Sequence, residues 1–376
     1  MHGLDHLTRP PRSRLPLAGL LSLALLSGCA RPVTPTAPVP PKVVATGLNG
    51  PQGVHVSADG TVWVTDDGLG GTTPFTVPGQ TDPGNFGDSA RLVKVAPDGT
   101  QSVVTSMPSI NIPGIGPTGG GKIAVIGDAV YVANGVWNAG FSVARPAKAS
   151  AVLRVDGSAT VELANVFAFE AATNPDGVAP AQGGIDSHAY GLAAGPDGQL
   201  YVADAGANAL FKVNPQGGLV SLVASLAGKT GTGAQSVPTG VAFGNDGNAY
   251  VSLLSGGPFP SGAARIVKVA GGVVSDFATG LTMLTDVEKG PDGKLYAVSF
   301  GSFNPASTAI PFTANAGSII RLGSGGEKTT VLSGLNYPTS ISFNAAGDAF
   351  VAENGLGLPG SGRVVRYSQL TRYTGQ

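Results

Sequence analysis

The stretch Gly191-Leu192-Ala193-Ala194-Gly195-Pro196-Asp197-Gly198-Gln199-Leu200-Tyr201-Val202 is a short apolar run, an Asp-Gly turn and a second run with an aromatic beside a valine. That is the pattern of a tight β-hairpin. The same form returns at residues 53–64, 240–251, 286–297 and 340–351, with a degenerate copy at 121–132. The aromatics marking the six copies, Trp63, Tyr131, Tyr201, Tyr250, Tyr296 and Phe350, are spaced by roughly 46 to 70 residues. A propeller blade takes ~40–50 residues, and insertions lengthen it. Six copies therefore predict an all-β chain folded as a six-bladed β-propeller with four-stranded blades.

Composition agrees with that reading. The 376 residues include 58 glycines and 29 prolines, and only 12% are charged, which suits many turns and excludes long helices or a coiled coil. A formal net charge of -1 leaves no basic surface for nucleic acid, so binding has to be local. The single cysteine, Cys29, rules out an intramolecular disulfide. Arg9, Arg12 and Arg14 precede an apolar run over residues 15–26, and Ser27-Gly28-Cys29 follows. This is the layout of an export signal with a lipobox-like end, and the run is shorter than the ~20 residues of a spanning helix. The expected organisation is a signal peptide at 1–28, a lipidated Cys29 opening a proline-rich tether at 29–41, the propeller at 42–370 and a tail at 371–376. The expected protein is an exported monomer in the cell envelope, touching the membrane through its lipid alone.

Residues 42–48 read as a strand without a partner in their own unit. They end Ala45-Thr46-Gly47-Leu48, as the closing segments of two other units end Ala278-Thr279-Gly280-Leu281 and Leu332-Ser333-Gly334-Leu335. The last unit lacks a closing strand, so the N-terminal strand is expected to pair beside residues 362–367 and remove the exposed edge. Antiparallel order then puts the Asp-Gly turns on one face. The long connections, at 67–88, 135–150, 167–187, 255–262, 299–317 and 355–361, all fall on the other, and binding groups concentrate on loops held by a rigid scaffold.

Within that frame the candidate ligand-binding residues are Asp186, His188, Tyr190, Asp204, Asp286 and Glu353. Asp186-Ser187-His188-Ala189-Tyr190 brings carboxylate, hydroxyl, imidazole and phenol to the mouth of the channel. Neighbours on an extended chain point to alternate sides, so this run is not a ready-made Ser-His-Asp triad; a turn with capped backbone donors is the plainer reading. Asp286 stands where Gly53, Gly191 and Gly240 stand in sister units. With Asp66, Asn134, Asp204 and Glu353, which end second strands, it outlines a sparse ring of oxygen ligands. Asp286, Glu353 and Asn134 are the candidate metal ligands, and Ca²⁺ is the cation such a ring suits. His55 is expected to pack near the channel.

Asn174-Pro175-Asp176-Gly177, Gly184-Ile185-Asp186-Ser187-His188-Ala189-Tyr190-Gly191-Leu192, Val202-Ala203-Asp204-Ala205-Gly206-Ala207-Asn208, Val237-Pro238-Thr239-Gly240-Val241 and Gly257-Pro258-Phe259-Pro260 resemble the ScyD/ScyE family over roughly residues 42–367. The resemblance implies an exported, six-bladed, NHL-like propeller, and carries no assigned reaction. Ala189 departs from the proline common there. The opening unit, Gly47-Leu48-Asn49-Gly50-Pro51-Gln52-Gly53-Val54 with Asp59-Gly60, is also similar to quinone-dependent sugar dehydrogenases and gluconolactonase-type hydrolases. The first would need a histidine base among basic residues, and only His55 and His188 follow the leader. The second would need a Glu, Asn, Asp metal set on the axis. The expected function is a binding or scaffold module for a small molecule, glycan or envelope protein, with a metal-dependent, lactonase-like hydrolase as the alternative.

Overall fold

Each repeat becomes one antiparallel sheet. The computed structural model describes residues 39–178, 184–230, 234–307 and 310–375; Cys29 and its leader lie outside them. The six innermost strands are Pro51–Val56, Gly120–Ile126, Asp186–Ala194, Pro238–Phe243, Leu284–Lys289 and Ser340–Phe343, and each leads outward into the next strands of its own sheet. This is the six-bladed β-propeller that the repeats predict. Insertions add short strands to blade 1 and the strand Val136–Asn138, which crosses from blade 2 to pair with the inner strand of blade 3 at His188, Ser187 and Asp186. Regular α-helix among the described residues is one segment, α1, Val166–Thr173.

The repeat signature is a single structural device. Asp197, Asp246 and Asp292 each accept a backbone N–H two residues on, and each also accepts the hydroxyl of the anchor tyrosine, Tyr201, Tyr250 or Tyr296, at 2.9–3.1 Å. The glycine after each aspartate has a φ of 72° to 75°, the left-handed region that glycine enters without a Cβ penalty. The glycine two residues before each aspartate lies under the tyrosine ring. A Cβ on Gly290 would come within 2.7 Å of Tyr296, whose side chain is fully buried. Gly290→Ala is therefore expected to cost about 2 kcal/mol by overpacking, read from urea unfolding, whereas alanine at the solvent-facing Gly217 changes little.

The ring is closed by β1, Lys42–Leu48, which pairs antiparallel with Gly362–Tyr367, Lys42 opposite Arg366 and Leu48 opposite Gly362. Ala45 and Leu48 are buried against Val54, Val364 and Phe350. The strand thus starts at the short-turn face and ends at the insertion face. At the other end of the chain Leu370 is buried, and Arg321 donates to the carbonyls of Thr371 and Tyr373, so residues 371–373 pack onto blade 5.

Candidate functional site

The inner strands meet closest at one tier, that of Gly53, Lys122, Gly191, Gly240, Asp286 and Ser340. Backbones abut there: a Cβ on Gly53 would lie 2.4 Å from the carbonyl oxygen of Gly121. The two charged members meet across the axis. Lys122 Nζ lies 3.4 Å from Asp286 Oδ2, donates to the carbonyls of Gln52 and Thr339 at 2.8 and 2.5 Å, and stands 4.9 Å from the centre of the Tyr190 ring. Asp286 also accepts from Ser340 Oγ and from the backbone of Val287 and Ile341. Burial disfavours both charges, pushing the Asp286 carboxyl up and the Lys122 ammonium down. Their contact offsets part of that cost.

Above the pair, toward the insertion face, the Tyr190 hydroxyl donates to Gln52 Oε1 at 2.8 Å and Gln52 Nε2 donates to Asp67 Oδ2 at 2.5 Å. Burial raises the Tyr190 phenol and the Asp67 carboxyl well above their ordinary values. Gln52, Tyr190, His188 and the ends of the neighbouring strands line an open cavity of about 210 Å³. Its walls are mostly carbon: Val237, Leu254, Phe259, Met283, Phe300, Phe312 and Leu356. Thr239, Thr285 and Thr339 line its base, but each hydroxyl donates to a carbonyl of the next inner strand, that of Leu284, Pro338 or Pro51. The residues leading into three inner strands, Val237, Met283 and Tyr337, have φ of 51°, 46° and 47° where blade 1 has Gly50. Backbone strain of this kind, ~1–3 kcal/mol each, collects at binding sites.

His188 is the titratable side chain with free capacity in this wall. No hydrogen bond engages its ring among the described residues, and burial lowers its pKa to about 4. At neutral pH it is an uncharged imidazole, able to accept one hydrogen bond or donate one. The ring meets Tyr190 edge-on at 5.4 Å. Asp204 fixes the main chain behind it: Oδ1 accepts the N–H groups of His188, Gly206 and Ala207, and Oδ2 accepts the Ser187 hydroxyl.

The candidates of the sequence therefore separate. His188 and Tyr190 line the cavity. Asp204 caps the turn that holds them, and Asp186 starts the same strand behind the wall. Asp286 is taken by Lys122 and Ser340. Glu353 is held by Arg363 at 2.7 Å and by the Tyr367 hydroxyl at 2.6 Å, and Asp66 by Arg91. Asn134 donates to the carbonyls of Lys148 and Pro108. Of the expected Ca²⁺ ring, Asp286 is engaged by Lys122 and Ser340 of other blades and Glu353 by Arg363 and Tyr367 of its own, while Asn134 is held through its amide nitrogen and its Oδ1 has no hydrogen-bond partner among the described residues. Among the described residues no three His, Cys, Asp or Glu side chains are placed to share a metal ion, so no step of a metal-dependent hydrolysis follows from this set. Through these contacts Arg91 and Arg363, on the third strands of their blades, neutralise buried carboxylates. His55 lies, as expected, on the channel wall, at the short-turn mouth with Glu288.

Sequence reasoning missed Lys122 and the carbon wall. Lys122 carries the same signal that singled out Asp286, a charge in a glycine position, but the turn of blade 2 is one residue shorter and shifts the copy by one. Met283, Phe300 and Phe312 sit in or beside connections that have no repeat to be compared with.

No protein-family model matches the chain, and no curated protein matches it. Solved structures do, at low identity. A putative oxidoreductase (glucose dehydrogenase) from Thermus thermophilus aligns with a TM-score of 0.52 at 15% identity, over 87% of this chain and 99% of that one. A PQQ-bound aldose sugar dehydrogenase from Streptomyces coelicolor aligns with a TM-score of 0.51 at 14% identity, over 88% and 99%. A gluconolactonase from Xanthomonas campestris aligns with a TM-score of 0.50 at 13% identity, over 90% and 98%. At such identities the likeness is one of fold, and it shows this chain to be a six-bladed β-propeller.

Proposed function

We propose that the protein is an exported, lipid-anchored propeller of the ScyD/ScyE type whose insertion face binds a small, largely apolar ring compound beside His188. The observation that carries this reading is the cavity: carbon walls, threonine hydroxyls already committed to backbone, and a neutral imidazole whose ring has no hydrogen-bond partner among the described residues. A cavity of about 210 Å³ exceeds the ~150 Å³ that accommodates benzene, so it suits one or two rings with a single polar edge facing His188. A glycan needs many free donors and acceptors, and this wall offers few. Lipidation of Cys29 accounts for the position of the only cysteine.

Indole is a suitable probe, a flat bicycle with one N–H donor for the imidazole. At roughly 0.6 kcal/mol per non-hydrogen atom its Kd is about 0.1 mM. Titration calorimetry is expected to find one site, little changed between neutral pH and pH ~5 because His188 stays uncharged, and weakened at least ~10-fold by Leu254→Trp, which fills the cavity. Absence of binding to the wild type, or equal binding by the filled variant, contradicts the reading.

A further inference from the structure

Behind the wall that carries His188, the insertion between blades 2 and 3 gathers oxygen atoms that no described residue satisfies. Glu170 lies in α1 with its side chain 1% exposed. Asn174, the left-handed C-cap of that helix, donates its N–H to the Glu170 carbonyl. Asp186 opens the inner strand of blade 3. Glu170 Oε2, Asn174 Oδ1 and Asp186 Oδ1 are all buried without a hydrogen-bond partner among the described residues. In a folded interior such acceptors are normally paired, and three in one neighbourhood ask for a ligand.

Hydrogen bonds show that the neighbourhood is continuous. Asp176 Oδ2 accepts Asn208 Nδ2 at 2.9 Å, and the same nitrogen donates to the Gly206 carbonyl at 3.1 Å. Gly206 in turn packs against the main chain of Asp186 and Ser187, where an added Cβ would lie 2.9 Å away. The charges that act on Glu170 are those of Asp204, Asp176 and Asp186, and those on Asp186 are Asp204 and Asp176. All have one sign. Carboxylates collected in this way repel unless a cation or a shared proton relieves them.

We propose that Glu170, Asn174 and Asp186 bind one hard divalent cation, Ca²⁺, through these three oxygens, with Asp176 and Asp204 supplying the surrounding negative charge. Two carboxylates and one amide oxygen, completed by carbonyls or water, form the mixed, irregular set that Ca²⁺ tolerates and Mg²⁺ does not. Such a set agrees with the absence of any group of three metal-ligating carboxylate, imidazole or thiol side chains among the described residues. The ion would tie α1 to the strand carrying His188, a structural role separate from the cavity and independent of what the cavity binds.

The competing relief is protonation. Burial first, and the neighbouring aspartates second, push the Asp186 carboxyl up to about 7 and the Glu170 carboxyl up to about 8. Both folded values lie above the unfolded ones, so without an ion stability is greatest at low pH and is lost as pH rises through the interval up to 7–8. Full-length protein stripped with EDTA is expected to lose thermal stability from pH ~6 to pH ~9, and millimolar CaCl₂ to restore it, raising the midpoint by about 3 °C or more at the alkaline end. Calorimetry with CaCl₂ alone should count one ion per chain. The Glu170→Gln/Asp186→Asn variant should unfold in EDTA no lower than wild type and show no calcium shift. A wild type that neither binds Ca²⁺ in calorimetry nor shifts, or a double variant that shifts as wild type does, overturns the proposal; if the variant does not fold, the wild-type calorimetric stoichiometry and its thermal shift with CaCl₂ decide.

Discussion

A chain begun at Asn49 is expected to unfold about 7 °C below one begun at Arg31, and to aggregate on heating. Deleting β1 exposes Val364 and the whole edge of Gly362–Tyr367, and removes the buried Leu48 and Ala45. Loss of that apolar burial and of the strand ladder is worth on the order of 5 kcal/mol. At ~2 cal/mol/K per residue a domain of this size has an unfolding entropy near 0.7 kcal/mol/K, which converts that loss to the stated shift. The bare edge accounts for the aggregation, because an unpaired strand templates pairing with another chain. Scanning calorimetry of the two chains decides it: equal midpoints would mean that the N-terminal strand does not close the ring.

Lys122→Met is expected to destabilise the protein by about 3–5 kcal/mol, since it leaves the Asp286 carboxylate buried without its cation. Adding Asp286→Asn should recover much of that loss, because the amide oxygen still accepts from Ser340 and the backbone while no charge remains to be neutralised. The pH dependence has a definite sign. Burial already holds the folded Asp286 carboxyl above its ordinary value, and removing Lys122 raises it further. The penalty of the single variant is therefore small at acid pH and grows as pH rises from the unfolded value toward the folded one. Urea unfolding of the four proteins of the cycle at acid and alkaline pH measures the coupling; additive effects of the two substitutions would show that the pair contributes nothing.

Much of the fold could be read in the chain because the repeat encodes a complete local device. Glycine, aspartate and tyrosine at fixed spacing make turn, cap and anchor together, as Gly290, Asp292 and Tyr296 do. The closing strand was legible for a similar reason, since Ala45-Thr46-Gly47-Leu48 repeats the end of two other blades. The site was only partly legible. His188 and Tyr190 follow from their place at the start of an inner strand, and they do face the cavity. The carboxylates misled because position at a strand end says where an oxygen is, but not which arginine answers it. Glu353 meets Arg363, and Asp66 meets Arg91, across neighbouring strands of their own blades. Lys122 was hidden by a one-residue difference in turn length, and the aromatic wall by loops without counterparts. The unsatisfied oxygens of Glu170 and Asn174 depend on how an insertion folds back on blade 3, which no periodicity reports.

The central claim is that the insertion-face cavity is the binding site. Its most direct test is a crystal structure of the protein grown with indole. The account expects one molecule between Tyr190 and Phe312, its N–H directed at the imidazole of His188, with the Lys122–Asp286 pair intact beneath it. Indole seated elsewhere, or a cavity filled by its own side chains while indole binds in solution, would contradict it.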